Sequence, residues 1–267
     1  KGQTVKGHIW AYVRDDRPFG GRAPPAALYY ASRDRRQEHP TRHLQSFTGI
    51  LQADAFGGYT KLYEPQRSPG PIREAACWVH ARRPFFAMAD LEENARRKAA
   101  GKQEIVISPV AMEIVRRIDA LFEIERSING QSADQRRAVR QARSAPLVAD
   151  LEAYMREQCA KLSRGHDLAK AMNYMFKRWA SFTRFLDDGR VCLSNNAAER
   201  ALRGIALGRK SWLFCGSDRG GRRAAAMYSL IVSAKMNDVD PQAWLADVLA
   251  RIAEHPVRQL DRLLPWN

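Results

Sequence analysis

Apolar residues change their spacing near Asp90, and that change restricts the folds open to this chain more than any single motif does. Before it, short aromatic and β-branched runs alternate with turn-forming residues. Residues 7–13 form one such run, halted by the charged, proline-ended stretch 14–18. Gly20-Gly21 and Pro24-Pro25 then precede a second run at 27–31, so the two read as neighbouring strands. After Pro40, residues 41–47 predict a short helix with Leu44 and Phe47 on one face, and residues 49–54 a third strand with Asp54 at its C-terminal end. A short helix over 59–63, a Pro/Gly-rich loop over 65–71 and an apolar stretch over 72–79 complete an alternation of the α/β kind. Beyond Asp90, apolar residues recur every three or four positions. Val110, Ile114, Ile118, Leu121 and Phe122 make one helical stripe and Leu147, Leu151, Tyr154 and Met155 a second. Leu168, Met172, Met175, Phe176, Trp179 and Phe182 make a third, read as core. Pro109, Pro146 and Gly165 punctuate this region, and residues 132–162 are expected to be kinked or divided at Pro146. A short apolar piece, 190–193, leads into a helix capped by Ser194 or an adjacent asparagine, which puts Glu199 in its first turns. An apolar helix to Lys235 and a last helix after Asp240-Pro241 follow.

Charge narrows the class of partner. Lysine plus arginine number 44 and aspartate plus glutamate 29, a net +15 with pI about 10.1, which points to a polyanion such as nucleic acid. The four cysteines, Cys77, Cys159, Cys192 and Cys215, form no CxxC pair and read as reduced thiols. The longest nearly apolar run, 224–234, is short of the roughly 20 residues a membrane helix needs. Lys1 rather than Met opens the chain and no leader pattern follows, so a signal peptide is not expected, and the chain can begin partway through a longer product.

Asp54 and Glu199 are each flanked by small residues and placed where an element ends or begins, positions from which a carboxylate can ligate a cation. Phosphoryl transfer on nucleic acid requires an activated attacking oxygen and a neutralised leaving oxygen, work that two Mg²⁺ ions held by carboxylates perform. Residues of the same type at the same places also serve as caps or surface charges, and spacing alone does not separate the two roles. Arg203, Arg209, Lys210 and Trp212 follow Glu199 and suit DNA phosphates or a stacked end base, although Arg203 also stands at the i, i+4 position for an ion pair with Glu199. Asn195 and Asn196 could reach DNA, but capping accounts for at least one of them. Cys77 and His80 have a C-x2-H spacing without a companion pair, so zinc is disfavoured, and His80 reads as structural or as a neighbour of the site. Residues 216–221 form a glycine-rich loop without the P-loop ending, so nucleotide binding is not expected, while approach of a phosphate backbone is allowed.

Five segments carry a resemblance to a known family: Leu51-Gln-Ala-Asp-Ala-Phe-Gly-Gly-Tyr59, Ala76-Cys-Trp-Val-His-Ala-Arg-Arg83, Leu193-Ser-Asn-Asn-Ala-Ala-Glu-Arg-Ala-Leu-Arg203, residues 208–221, and the closing Leu-Leu-Pro-Trp. In this order and over essentially the whole chain, they resemble the insertion sequence 66 transposase family. The resemblance implies a DDE transposase with an α/β, ribonuclease-H-like mixed sheet, a large all-helical insertion and a helical C-terminal tail. Its divisions would fall at 1–89 (strand-rich core), 90–187 (insertion), 188–216 (return to the core with the catalytic glutamate helix) and 217–267 (C-terminal element). Asp54 corresponds to the family's second catalytic aspartate and Glu199 to its catalytic glutamate, both holding Mg²⁺. The first aspartate lies in the family on a strand just before the segment that begins here at Lys1, as does an N-terminal DNA-recognition portion. Asp15 and Asp16 follow the second strand of the family's order and read as a turn rather than as substitutes. Very low activity is therefore expected of this chain alone. Its partners would be transposon-end and target DNA and further copies of itself, with no membrane, in the bacterial cytoplasm at the nucleoid. The rival readings are a non-catalytic DNA-binding protein and a transposase-assembly protein.

Overall fold

A computed structural model describes residues 4–103 and 106–266; Lys1, before which the resemblance would place the family's first aspartate, lies outside them. Strands β1 (His8–Arg14) and β2 (Ala26–Ser32) pair antiparallel, from His8 opposite Ser32 to Arg14 opposite Ala26. The turn between them ties Arg14 to Asp16 at 2.7 Å and Arg17 to Asp15 at 2.8 Å, so both aspartates serve local ion pairs. Helix α1 (Glu38–His43) starts before Pro40 rather than after it. Proline fits there because a first-turn N–H has no intrahelical partner to lose. Strand β3 (Gly49–Ala53) and β4 (Ile72–Ala76) pair parallel, separated by a 3-10 segment at Gly57–Tyr63. The apolar run expected to 79 leaves the sheet at Ala76, and Trp78 already opens α2 (Trp78–Ala87).

Among the described residues the strands form two separate pairs rather than one mixed sheet, in a chain that is α/β and mostly helical. Helices α3 (Leu91–Ala99), α4 (Pro109–Ser127), α5 (Ala133–Val139), α6 (Ala145–Ala160), α7 (Asp167–Phe176) and α8 (Trp179–Asp187) fill the middle. Ser108 caps α4, and Ser132 and Gln135 form a reciprocal capping box on α5. The run does not divide at Pro146. Instead Arg140–Ser144 widens into a π-helical segment just upstream, where the proline ring would otherwise meet the carbonyl four residues back. The third apolar stripe is split between α7 and α8, whose inner faces share one core. Helices α9 (Asn196–Trp212), α10 (Asp218–Met236) and α11 (Pro241–Arg251) close the chain. None of the helices among the described residues is long and apolar enough to cross a membrane.

Two apolar clusters hold these parts. The larger joins β4 and α2 to the middle helices through Trp78, Phe85, Ile114, Leu151, Met172 and Phe182. The smaller packs α9 and α10 on β1 and β2 through Tyr29, Ala201, Ile205 and Ala225. Each pair has its outer edge covered. Along β2, Ser229, Ser233 and Asn237, one helical turn apart, bond Tyr29 N, Ala27 N and Pro25 O at 2.9, 3.0 and 2.9 Å, so α10 takes the place of a neighbouring strand. Along β4, Arg184 of α8 donates to Glu74 O at 2.6 Å, while Arg178 and Ser181 hold the Glu74 carboxylate at 2.5 and 2.7 Å.

Candidate active site

Ala53 and Ala76 are the last register pair of β3 and β4, so Asp54 and Cys77 leave the sheet side by side at its C-terminal end. In α/β folds, ligands bind outside that end of parallel strands. Asp54 is exposed, and Ala55 after it adopts φ 60°, a costly conformation for alanine that turns the chain sharply into the 3-10 segment. Tyr174 donates to the Asp54 carbonyl at 3.4 Å. Burial raises the Tyr59 hydroxyl to about 12, and the Asp54 charge adds to the effect.

The first turn of α2 brings His80 round to this end, where its Nε2 stands 3.1 Å from Glu199 Oε1. Burial pushes the Cys77 thiol up; the Asn195 backbone N–H lowers it and Glu199 raises it, so two distant segments meet around one thiol. Glu199 lies in the first turn of α9, where the helix dipole favours a carboxylate. Strand β3 and the first residue of α2 hold the segment leading into α9: Trp78 N donates to Leu193 O at 2.8 Å and the Gln52 amide bonds Cys192 O. Asn195 stands at the N-cap position but makes no side-chain cap bond, so the expected capping role is not filled by it. Its Oδ1 and His80 Nδ1 are both buried without a partner, the kind of polar atom that a built site leaves for a ligand or water.

Glu199 thus pairs with His80 rather than with Arg203, which makes no ion pair among the described residues. Arg209 and Lys210 are exposed in the last turn of α9, about 15 Å along the helix from Glu199 at 1.5 Å per residue. Trp212 is 40% exposed and precedes Leu213, which adopts φ 56°. The structure therefore groups Cys77, His80, Asn195 and Glu199, sets Asp54 next to Cys77 at the strand ends, and strings the four proposed DNA contacts along α9. Asp54, His80 and Glu199 do not bring three ligand atoms within 4.8 Å of one another. The group that does so among the described residues is Asp34, Glu38 and His39, which no sequence motif announces. There His39 Nε2 lies 2.7 Å from Asp34 and Asp34 also pairs with Arg36, so the Asp34 carboxylate already has partners of its own. Asp54 and Glu199 are hard oxygen donors open to solvent, a donor set that suits Mg²⁺, which takes one or two carboxylates and completes its shell with water and substrate phosphates.

Residues 1–223 match the family model described as "Transposase IS66 family", and residues 229–266 the model described as "IS66 C-terminal element". The chain is 56% identical over 266 residues to the uncharacterized protein y4hP of Sinorhizobium fredii, covering 99% of this chain and 48% of that protein. It is 40% identical over 263 residues to y4jD, covering 97% of this chain and 49% of that protein. It is 36% identical over 270 residues to y4qI, covering 100% and 48%; both are uncharacterized proteins of the same organism. The chain spans about half the length of these curated relatives. No solved structure matches it.

Proposed function

The chain belongs to the IS66 family of transposases, and from that premise we propose that it supplies Asp54 and Glu199 to a metal-dependent site that cuts and joins transposon-end DNA. The observation that carries this reading is the meeting of the β3 and β4 ends with the first turn of α9, which brings the Asp54 and Glu199 segments together across 145 residues of sequence. Asp54 and Glu199 would hold Mg²⁺, which when bound neutralises charge on the transferring phosphoryl group and activates the attacking oxygen. His80 positions Glu199: with its proton on Nε2 it donates to Oε1 and fixes which carboxylate oxygen stays open. Arg203, Arg209 and Lys210 would meet DNA phosphates and Trp212 an end base, in an assembly that pairs copies of the protein on two DNA ends.

The same reading supports a ribonuclease-H-like plan. An antiparallel pair and a parallel pair, each with its outer edge covered by a helix, leave β1 and β3 with one unpaired edge apiece among the described residues. Trp10 of β1 reaches Phe56 and Tyr59 beyond β3, with ring centres 6.2 and 6.1 Å apart. A strand laid between the two edges would complete a mixed sheet and could bring a third carboxylate to the site. On this plan 1–89 and 188–216 form the core, 90–187 the insertion and 217–267 the C-terminal element.

The test is a mobility assay in cells with the transposase gene carrying Asp54→Asn or Glu199→Gln. Partners of metal ligands already cost about 10–100-fold when lost, so removing a ligand is expected to lower transposition by about 100-fold or more. Movement at the unsubstituted level in either variant would reject the catalytic assignment and favour a DNA-binding or assembly role.

A further inference from the structure

The loop after Asp54 opens onto a cleft of about 780 Å³ whose walls include Arg35, Arg36, Arg42 and Lys61, with Glu38 the one carboxylate among its lining residues. Four cations against Glu38, with Asp34 offsetting Arg36 from outside the lining, leave a net +2 along an open cleft. Arg36 pairs with Asp34 at 3.4 Å, and Arg35 lies 4.5 Å over the Phe56 ring. Arg42 and Lys61 are exposed and make no ion pair with a carboxylate among the described residues. A cleft lined by one sign of charge focuses the field and concentrates the opposite ion.

The floor is shaped for close approach. Gly57 is exposed, and a Cβ there would have no atom within 4 Å, so the backbone at this point is bare. At Gly58 a Cβ would stand 2.3 Å from the Phe56 ring; glycine lets that ring lie back over the loop, where it carries Arg35. Gly57 is three residues from Asp54, at most about 11 Å of extended chain. That is at most about three base-pair steps along a duplex axis at roughly 3.4 Å per step.

We propose that this cleft binds the sugar–phosphate backbone of a DNA strand a few nucleotides from the phosphodiester presented to Asp54. The inference rests on the transposase reading and adds to it a second DNA surface, separate from the cations of α9. The cations come from two segments, before and within α1 and after β3, so they spread along the cleft and suit an extended polyanion better than a single phosphate. Contacts of this kind fix the register of a strand and carry no sequence information, so the cleft contributes equally to any DNA sequence.

The test measures binding of a fluorescent duplex of arbitrary sequence to the 267-residue chain across a salt series. Arg42→Gln with Lys61→Gln is expected to lower the slope of log affinity against log salt by about 1.8, which amounts to about 60-fold at 0.1 M when counted down from 1 M. Arg42→Lys with Lys61→Arg should keep the unsubstituted slope. So should Lys161→Gln with Lys170→Gln, which removes the same charge from ion-paired surface positions. In the unsubstituted chain, bound duplex should protect Lys61 from acetylation more than Lys161, a readout that needs no variant to fold. An unchanged slope in the glutamine pair, or an unprotected Lys61, alongside steep binding by the unsubstituted chain would overturn the cleft and leave the transposase reading standing. Absence of salt-dependent binding by the unsubstituted chain would likewise overturn the cleft, while the transposase reading stands or falls with the mobility assay. Displacement of the duplex from the cleft by pyrophosphate at matched ionic strength would reassign it to small phosphate ligands and also overturn the proposal.

Discussion

Glu125→Ala is expected to destabilise the protein by about 3–5 kcal/mol, because it strands two buried guanidinium groups at once. Arg136 is 2% exposed and Arg140 fully buried, and both bond the one Glu125 carboxylate: Arg136 Nη2 at 3.0 Å, Arg140 Nε and Nη2 at 2.7 Å each. Burial, with Arg140 beside it, already pushes the Arg136 pKa down, so the carboxylate is what keeps this pair of like charges tolerable. Their remaining N–H groups reach the chain that leads to the candidate site. Arg140 donates to Phe185 O, Asp188 O and Val191 O at 2.8, 3.2 and 2.8 Å, and Arg136 to Gly189 O and Pro18 O at 2.9 Å each. The cluster therefore ties the helical middle both to the β1–β2 turn and to the segment that delivers α9. Urea unfolding of Glu125→Ala should show a midpoint lower by about 1–2 M. Glu125→Gln, which keeps the acceptor and loses the charge, should fall between. A shift below about 1 kcal/mol for the alanine variant would mean that water replaces the carboxylate and that the cluster is not closed.

Trp78→Ala should cost a similar amount, about 3–5 kcal/mol, for a different reason. Trp78 is 1% exposed and its ring meets Trp179, Phe182 and Phe185 edge-on, with centroids 6.1, 5.4 and 6.0 Å away. Its Nε1–H donates to Phe182 O at 2.9 Å, so the first residue of α2 is bonded to α8 as well as packed against it. Alanine leaves a cavity in the larger cluster; Trp78→Phe keeps much of the volume and loses the bond to the Phe182 carbonyl, which should cost about 0.5–1.5 kcal/mol. Equal losses for the two variants would show that the hydrogen bond, not the ring, dominates this contact.

These two sites show where the sequence was legible. Aromatic, β-branched and apolar runs bounded by turn residues located β1, β2 and β3, and the motif around Glu199 placed that residue in the first turn of α9. An apolar run has no period of its own, so nothing at 72–79 marked the passage from strand to helix at Cys77. The stripe over Leu168–Phe182 read as one helix because α7 and α8 face the same core, while the break between them depends on tertiary packing. Nothing in the sequence marks Arg136 and Arg140 as buried; only their partners at 125 and 185–191 could have revealed it. The His80–Glu199 pair spans 119 residues, so the sequence could read His80 as structural or as a neighbour of the site without naming its partner. The serines of α10 that close the β2 edge sit inside an apolar run and gave no signal of their own.

The measurement that bears most directly on the central claim is metal-directed scission. Fe²⁺ with ascorbate is added to the 267-residue chain in place of Mg²⁺, and the cut sites are read by mass spectrometry. Cleavage is expected beside residue 54 and beside residue 199 in the same molecules, and it should disappear at both places in Asp54→Asn and in Glu199→Gln. Cleavage confined to the Asp34, Glu38 and His39 group, or unaffected by either substitution, would contradict a metal site shared by Asp54 and Glu199.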